Sequence, residues 1–232
     1  MRIAVMQPYF FPYLGYWQLI HSVDVFVVFD DVNFIKKGWI NRNNILLNGR
    51  PHLLTLPLKD VSQWKKINEI ETANDAKTQE KILKTIICAY KKAPYFADVF
   101  PIIEQTVKGT GLVSELLETS LRLVCEYCGT DTKIILSSQT EKDNSLKGQD
   151  KIIEICKKLG ASDYVNAIGG QHLYSKDVFA ANGIDLHFIK MNDGIRYKQF
   201  GDDFVPNLSV IDVLMFNDKT QLKKMMQSYS LI

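Results

Sequence analysis

Long apolar runs are missing from this 232-residue chain. A helix that crosses a membrane needs about 20 consecutive apolar residues, so no transmembrane segment is expected. The first residues also lack the basic start, apolar stretch and small-residue cleavage site of a secretory signal. Together these absences predict a cytoplasmic protein. Cysteine is scarce, with Cys88, Cys125, Cys128 and Cys156 only. Cys125-Glu126-Tyr127-Cys128 has CxxC spacing, but no second ligand pair follows to complete a zinc site. It also lies near the end of an apolar helix, not at a strand-to-helix junction where a thioredoxin-like motif belongs. The four cysteines therefore read as reduced and mostly buried thiols. Net charge is small as well, +2 at pH 7, which argues against a nucleic-acid footprint. Lys65-Lys66 and Lys157-Lys158 read as solvated helix faces. No GxxxxGK[ST], GxSxG or HExxH occurs, which turns the reading away from P-loop, α/β-hydrolase and zincin chemistry. No protein-held metal site is expected.

What is present is an ordinary globular composition, 46% hydrophobic and 23% charged, on a chain long enough for one large domain. Arg2–Met6 reads as a buried strand and Trp17–Ser22 as a short helix. Asp24–Asp30 is nearly all apolar, as suits a parallel strand covered on both faces. His52–Leu58 is a further strand, with Pro57 marking an edge or an end. Helical periodicity follows over Thr78–Lys92, Tyr95–Lys108 and Leu112–Tyr127, so residues 75–130 are expected to form a helical insertion or cap on a single domain, 1–232. Alternation then resumes: strand Thr132–Ser138, helix Gly148–Leu159, strand Tyr164–Asn166, helix Ser175–Ala181, strand Ile184–Lys190, and helix Val210–Phe216 capped by Ser209. The fold class is α/β, a mostly parallel sheet with helices on both faces.

Such sheets bind ligands beyond the carboxyl ends of their strands, and the unusual polar residues of this chain fall there. Gln7 opens the loop Gln7-Pro8-Tyr9-Phe10-Phe11-Pro12-Tyr13-Leu14-Gly15-Tyr16, rigid enough for preorganised binding. Gly15 would let a ligand reach backbone N–H groups at the helix start. Tyr13-Leu14-Gly15-Tyr16 parallels the HxGH signature of nucleotidyltransferase-like folds, with tyrosine in place of both histidines. Tyrosine hydroxyls donate hydrogen bonds but carry no positive charge at neutral pH. Asp30 and Asp31 end the second strand, where paired carboxylates hold a metal, orient an amine or accept a proton. Arg42 suits a phosphate or carboxylate. These three are the expected catalytic residues. Gln7, Tyr9, Tyr13, Gly15, Tyr16, Lys36, Trp39, Asn41, Asn43, Ser137, Ser138, Gly169, Gly170 and Ser209 are the expected binding residues.

The run Met6–Tyr16, followed by Asp30-Asp31-Val32 and Gly38-Trp39-Ile40-Asn41-Arg42-Asn43, resembles the WbqC-like protein family. Tyr90-Lys91-Lys92-Ala93-Pro94-Tyr95 and Leu208–Leu214 extend that resemblance over nearly the whole chain. It implies a place in bacterial surface-polysaccharide, especially O-antigen, biosynthesis, and so a nucleotide-linked amino sugar as substrate. Joined to the nucleotidyltransferase analogy, it leads to an expectation of amide formation on that sugar, with an amino acid such as glycine as donor and ATP with Mg²⁺ as cofactors. A CoA- or acyl-carrier-dependent N-acyltransferase, a non-catalytic sugar-nucleotide-binding subunit and a bare nucleotidyltransferase are the alternatives.

Overall fold

A computed structural model describes residues 1–232. The chain begins with β1 (Arg2–Met6), α1 (Leu14–His21) and β2 (Val25–Val28). A hairpin of β3 (Arg42–Leu47) and β4 (Arg50–Thr55) comes next, then three helices, α2 (Ala76–Tyr90), α3 (Phe96–Lys108) and α4 (Val113–Cys128). β5 (Lys133–Leu136), α5 (Gly148–Leu159), β6 (Asp163–Ala167), α6 (Lys176–Ala181) and β7 (Asp185–Met191) follow. The chain closes with α7 (Val210–Phe216), α8 (Lys219–Met226) and β8 (Tyr229–Leu231).

Six strands form one sheet in the order β5-β2-β1-β6-β7-β8. Every pairing is parallel except β7 with β8. The α/β class with a mostly parallel sheet is therefore as the sequence predicts. β2 reads Val-Phe-Val-Val and all four residues are buried, because strand side chains alternate between faces and both faces here are covered. Ile3, Val5, Val25 and Val27 point to one face and pack with Ile152 and Ile155 of α5 and Phe179 of α6. Ala4, Phe26 and Val28 point to the other, where residues of α1 and of α2–α4 join them in the larger core. α2–α4 thus lie on the path from β2 to its neighbour β5 and share that core.

Two parts differ from the sequence reading. The strand anticipated at His52–Leu58 runs Arg50–Thr55 and is outside the main sheet, paired antiparallel with β3. Pro57 lies past its end. The polar start of β3, Arg42-Asn43-Asn44, resembles a loop, yet its Asn48-Gly49 turn has positive φ at both residues, the geometry that two-residue hairpins favour. The second difference is the α8–β8 ending, short elements with little apolar periodicity.

One buried polar network ties the layers together. Asp212, on the first turn of α7, is fully buried. It accepts hydrogen bonds from the Tyr90 hydroxyl (3.0 Å), the Tyr197 hydroxyl (2.7 Å) and the Gln199 amide (2.6 Å). Tyr90 in turn accepts from the Leu46 N–H at 2.8 Å, so α2, β3, α7 and the segment before α7 meet at one carboxyl group. Burial pushes the Asp212 carboxyl above its ordinary value, and the three donors pull it partly back. Tyr90→Phe leaves Leu46 N–H and Asp212 each short of a partner in the interior. We expect a loss of about 1–3 kcal/mol in urea denaturation; an unchanged midpoint would mean that the network does not hold these elements.

Candidate functional site

The proline-aromatic loop after β1 is held by its own carbonyl groups. The Asn43 amide donates to the Phe10 and Phe11 carbonyls at 3.2 and 2.8 Å. The Ser209 hydroxyl donates to the Phe11 carbonyl at 2.7 Å and accepts from Ile211 N–H as the cap of α7. The indole N–H of Trp17 and the N–H of Val210 both reach the Pro12 carbonyl at 2.9 Å. The Tyr16 hydroxyl donates to the Gln7 carbonyl at 2.8 Å. Phe11 has φ +42°, a strained value for a bulky residue, and it sits within this set of bonds. Asn43 and Ser209, anticipated as ligand contacts, thus brace the loop; Asn43 also borders a chamber beside it. Ser209 is fully buried, so its hydroxyl has no route to a ligand. The Tyr16 hydroxyl is likewise committed to the loop.

The braced loop separates two chambers. The sheet reverses direction between β1 and β6, since β1 connects through α1 to β2 on one side and β6 through α6 to β7 on the other. A crevice at such a reversal is where open α/β sheets bind ligands. A chamber of about 300 Å³ lies there, lined by Met6, Tyr9, Tyr13, Gly15, Asn166 and Gly169 among others. A second chamber of about 300 Å³ lies on the other side, lined by Tyr9, Pro12, Tyr13, Trp39, Asn43 and Asn207. Tyr9 and Tyr13 belong to both. Tyr13 and Trp39 are 39% and 46% exposed, so both rings are accessible from the second chamber. No charged residue lines either chamber. Burial raises the hydroxyl pKa of Tyr9 and of Tyr13, so both stay neutral donors.

The glycines serve close contacts within the protein. A Cβ on Gly15 would lie 2.5 Å from the Tyr13 ring, and one on Gly170 2.6 Å from the Asn166 amide. The Tyr13 ring therefore packs against the start of α1 at Gly15, which also lines the chamber at the sheet reversal. Asn166 and Asn207 line the chambers without standing among the anticipated site residues. Asn166 ends a strand, which was a usable signal. Asn207 has φ +57°, which no sequence pattern announces.

The anticipated catalytic residues lie elsewhere. Asp30 and Asp31 follow β2, beside the end of β5. Asp30 accepts from the Ser138 N–H at 2.9 Å and the Ser138 hydroxyl at 2.6 Å. Asp31 is ion-paired with Lys142 at 2.9 Å and Lys151 at 3.1 Å. Side-chain exposures in this trio are 6% for Asp31, 1% for Lys142 and 9% for Lys151. Burial alone would raise the Asp31 pKa. The adjacent Lys142 and Lys151 ammonium groups outweigh it, and the carboxyl is held below its ordinary value. Arg42 donates to the carbonyls of Gly38, at 2.9 Å, and Lys37, and Asn41 to the Leu56 carbonyl at 2.8 Å. Lys36 is exposed on the same turn. Asp30, Asp31 and Arg42 line neither chamber, which corrects the idea of one cleft containing them all. The carboxylate pair does not fit Mg²⁺: two ammonium groups already crowd Asp31, and they would repel a divalent cation.

The model of the WbqC-like protein family matches residues 7–224. The chain belongs to this family. This WbqC-like protein is also similar to the uncharacterized protein Rv1507c of Mycobacterium tuberculosis, with 28% identity over 225 residues, covering 93% of each chain. No solved structure matches it. No helix of this WbqC-like protein is long and apolar enough to cross a membrane.

Removing the Asp31 carboxylate strands two buried ammonium groups. Asp31→Ala is expected to cost about 3–5 kcal/mol of stability by chemical denaturation. Because the folded-state pKa of Asp31 is depressed, its contribution is present above the unfolded-state value, about 3.9, and is lost as pH falls through the folded value. Wild type should therefore lose stability more steeply than Asp31→Asn below about pH 4; parallel curves would contradict the pairing. Gly15→Ala should displace the Tyr13 ring and destabilise the protein. In Tyr13→Ala the same change should be harmless, a coupling that a double-mutant cycle measures.

Proposed function

We propose that this WbqC-like protein is an enzyme of bacterial surface-polysaccharide biosynthesis that forms an amide on the amine of a nucleotide-linked amino sugar, with an amino acid such as glycine as donor, its carboxylate activated by ATP so that one carboxyl oxygen leaves on the AMP or phosphate released. The observation that carries the reading is the pair of chambers with a common wall, Tyr9 and Tyr13, at the reversal of the sheet. That arrangement suits two ligands brought edge to edge, and positioning of two reactants contributes several kcal/mol to a condensation. The uncharged lining suits the neutral parts of such ligands. A base or pyranose ring can lie on the Trp39 and tyrosine faces, while Asn166 and Asn207 offer amide groups to hydroxyls. Phosphates would lie outside both chambers. A second reading, a non-catalytic sugar-nucleotide-binding subunit, is favoured by the commitment of Asp30, Asp31 and Arg42 to partners within the protein.

The test incubates purified protein with uridine- and thymidine-diphosphate amino sugars and a panel of amino acids, with ATP in one series and acyl-CoA in another. Mass spectrometry reads the sugar nucleotide, and nucleotide analysis reads AMP or ADP. We expect an amide product in the ATP series, reduced about ten- to a hundredfold in Tyr9→Ala and Tyr13→Ala. Product from acyl-CoA alone would identify an N-acyltransferase. Pyrophosphate release without an amide would identify a nucleotidyltransferase. Binding without turnover in either series would identify the subunit, and no binding of any sugar nucleotide would refute every form of the reading.

A further inference from the structure

Away from the two chambers, one surface hollow is rich in lysine. A groove of about 750 Å³ runs between α2 and the β3–β4 hairpin, with Lys77, Lys81 and Lys84 on the helix side and Leu47 and His52 on the hairpin side. It meets a second hollow of about 340 Å³ at Cys88, which lines both, and that hollow is bordered by Lys91 and Lys92. Positions 77, 81, 84 and 88 recur at helical spacing on one face of α2, and Lys91 and Lys92 follow directly after its last residue, Tyr90. Five lysines stand against one carboxylate, Glu80. That excess of four is larger than the +2 of the whole chain, so the rest of the molecule is net acidic. A solvated helix face is ordinarily laced with pairs of opposite sign. Here only Lys84 is paired, with Glu80 at 2.7 Å, and the other four lysines make no ion pair.

We propose that this groove docks an acidic, Asp- and Glu-rich segment of a partner protein. The sign of the charge selects an anion, and the form of the groove selects an elongated one. The 15 residues of α2 extend about 22 Å, the length of roughly seven residues of extended chain. Single-stranded nucleic acid is a poorer match, because its sites set a series of aromatic platforms among the cations, whereas only His52 borders the groove and only Phe200 the adjoining hollow. A membrane surface is poorer still, because these lysines border a hollow. The chambers at the sheet and their ligands play no part in this inference.

The experiment titrates the full chain into a fluorescein-labelled acidic peptide of about ten residues and follows anisotropy at low and moderate salt. Saturable binding is expected, weakening as salt screens it. Lys77→Glu with Lys81→Glu should weaken it about tenfold or more. Lys157→Glu with Lys158→Glu makes the same change of charge on α5 and should leave affinity within about twofold. Cys88 supplies an independent readout: it is exposed while Cys125 and Cys156 are buried, and bound peptide should slow its reaction with a maleimide. If the α2 double variant fails to fold by circular dichroism, Lys77→Gln with Lys81→Gln replaces it and should still lose affinity measurably. Equal losses in the α2 and α5 variants would overturn the proposal. So would no saturable binding, Cys88 labelling unchanged at saturating peptide, or tighter binding of an oligothymidylate or of phosphatidylglycerol vesicles through the same lysines.

Discussion

The Asn43 side-chain amide, set between the Phe10 and Phe11 carbonyls, is the contact on which the architecture of the site depends. A loop with two prolines and four aromatics carries few ways to satisfy its own backbone, and buried carbonyls without partners are costly. Asn43 supplies those partners from the start of β3 in the hairpin, and the cap of α7, Ser209, donates to the Phe11 carbonyl as well. Three distant stretches of chain thereby converge on one turn. Phe10 and Phe11 are turned inward as a fully buried pair, 5.0 Å between ring centres. Tyr9 and Tyr13, their neighbours in sequence, are left facing the chambers. The alternation of buried and available rings along Tyr9–Tyr13 follows from where the carbonyls are gripped.

The site divides its polar chemistry in an uncommon way. Charge is concentrated at the ends of β2 and β5, where Asp31 holds two lysines within a nearly closed cluster. Hydrogen-bonding and aromatic groups without charge surround the space at β1 and β6. The first arrangement gives rigidity, since a buried ion pair is sensitive to loss of either partner. The second leaves ligand recognition to shape, ring faces and amides, with selectivity set by which hydroxyls and amides find partners.

Much of this was legible in the sequence, and the remainder was not for definable reasons. The near-continuous apolar run of β2 and the glycine after Leu159, Gly160, which has left-handed φ, marked a strand and the end of a helix on their own. The loop after β1 stood out by composition. Asp30 and Asp31 were rightly placed at a strand end, but their partners Ser138, Lys142 and Lys151 are over a hundred positions away in the chain, and only the pairing of β2 with β5 brings them together. Asn43 carried a different difficulty: an amide beside an arginine in a polar run reads as a ligand contact, and although it does border a chamber, no residue type reveals the carbonyls that it also braces. β3 was obscured by that same polar start, although Asn48-Gly49 marked its turn.

Because Tyr9 and Tyr13 each present a surface to both chambers, any movement of the Tyr13 ring alters the shape of both at once. The contact with Gly15 blocks one direction of swing, so the ring has little room to yield toward α1. The common wall is thus kept in place by the smallness of the residue two positions beyond it.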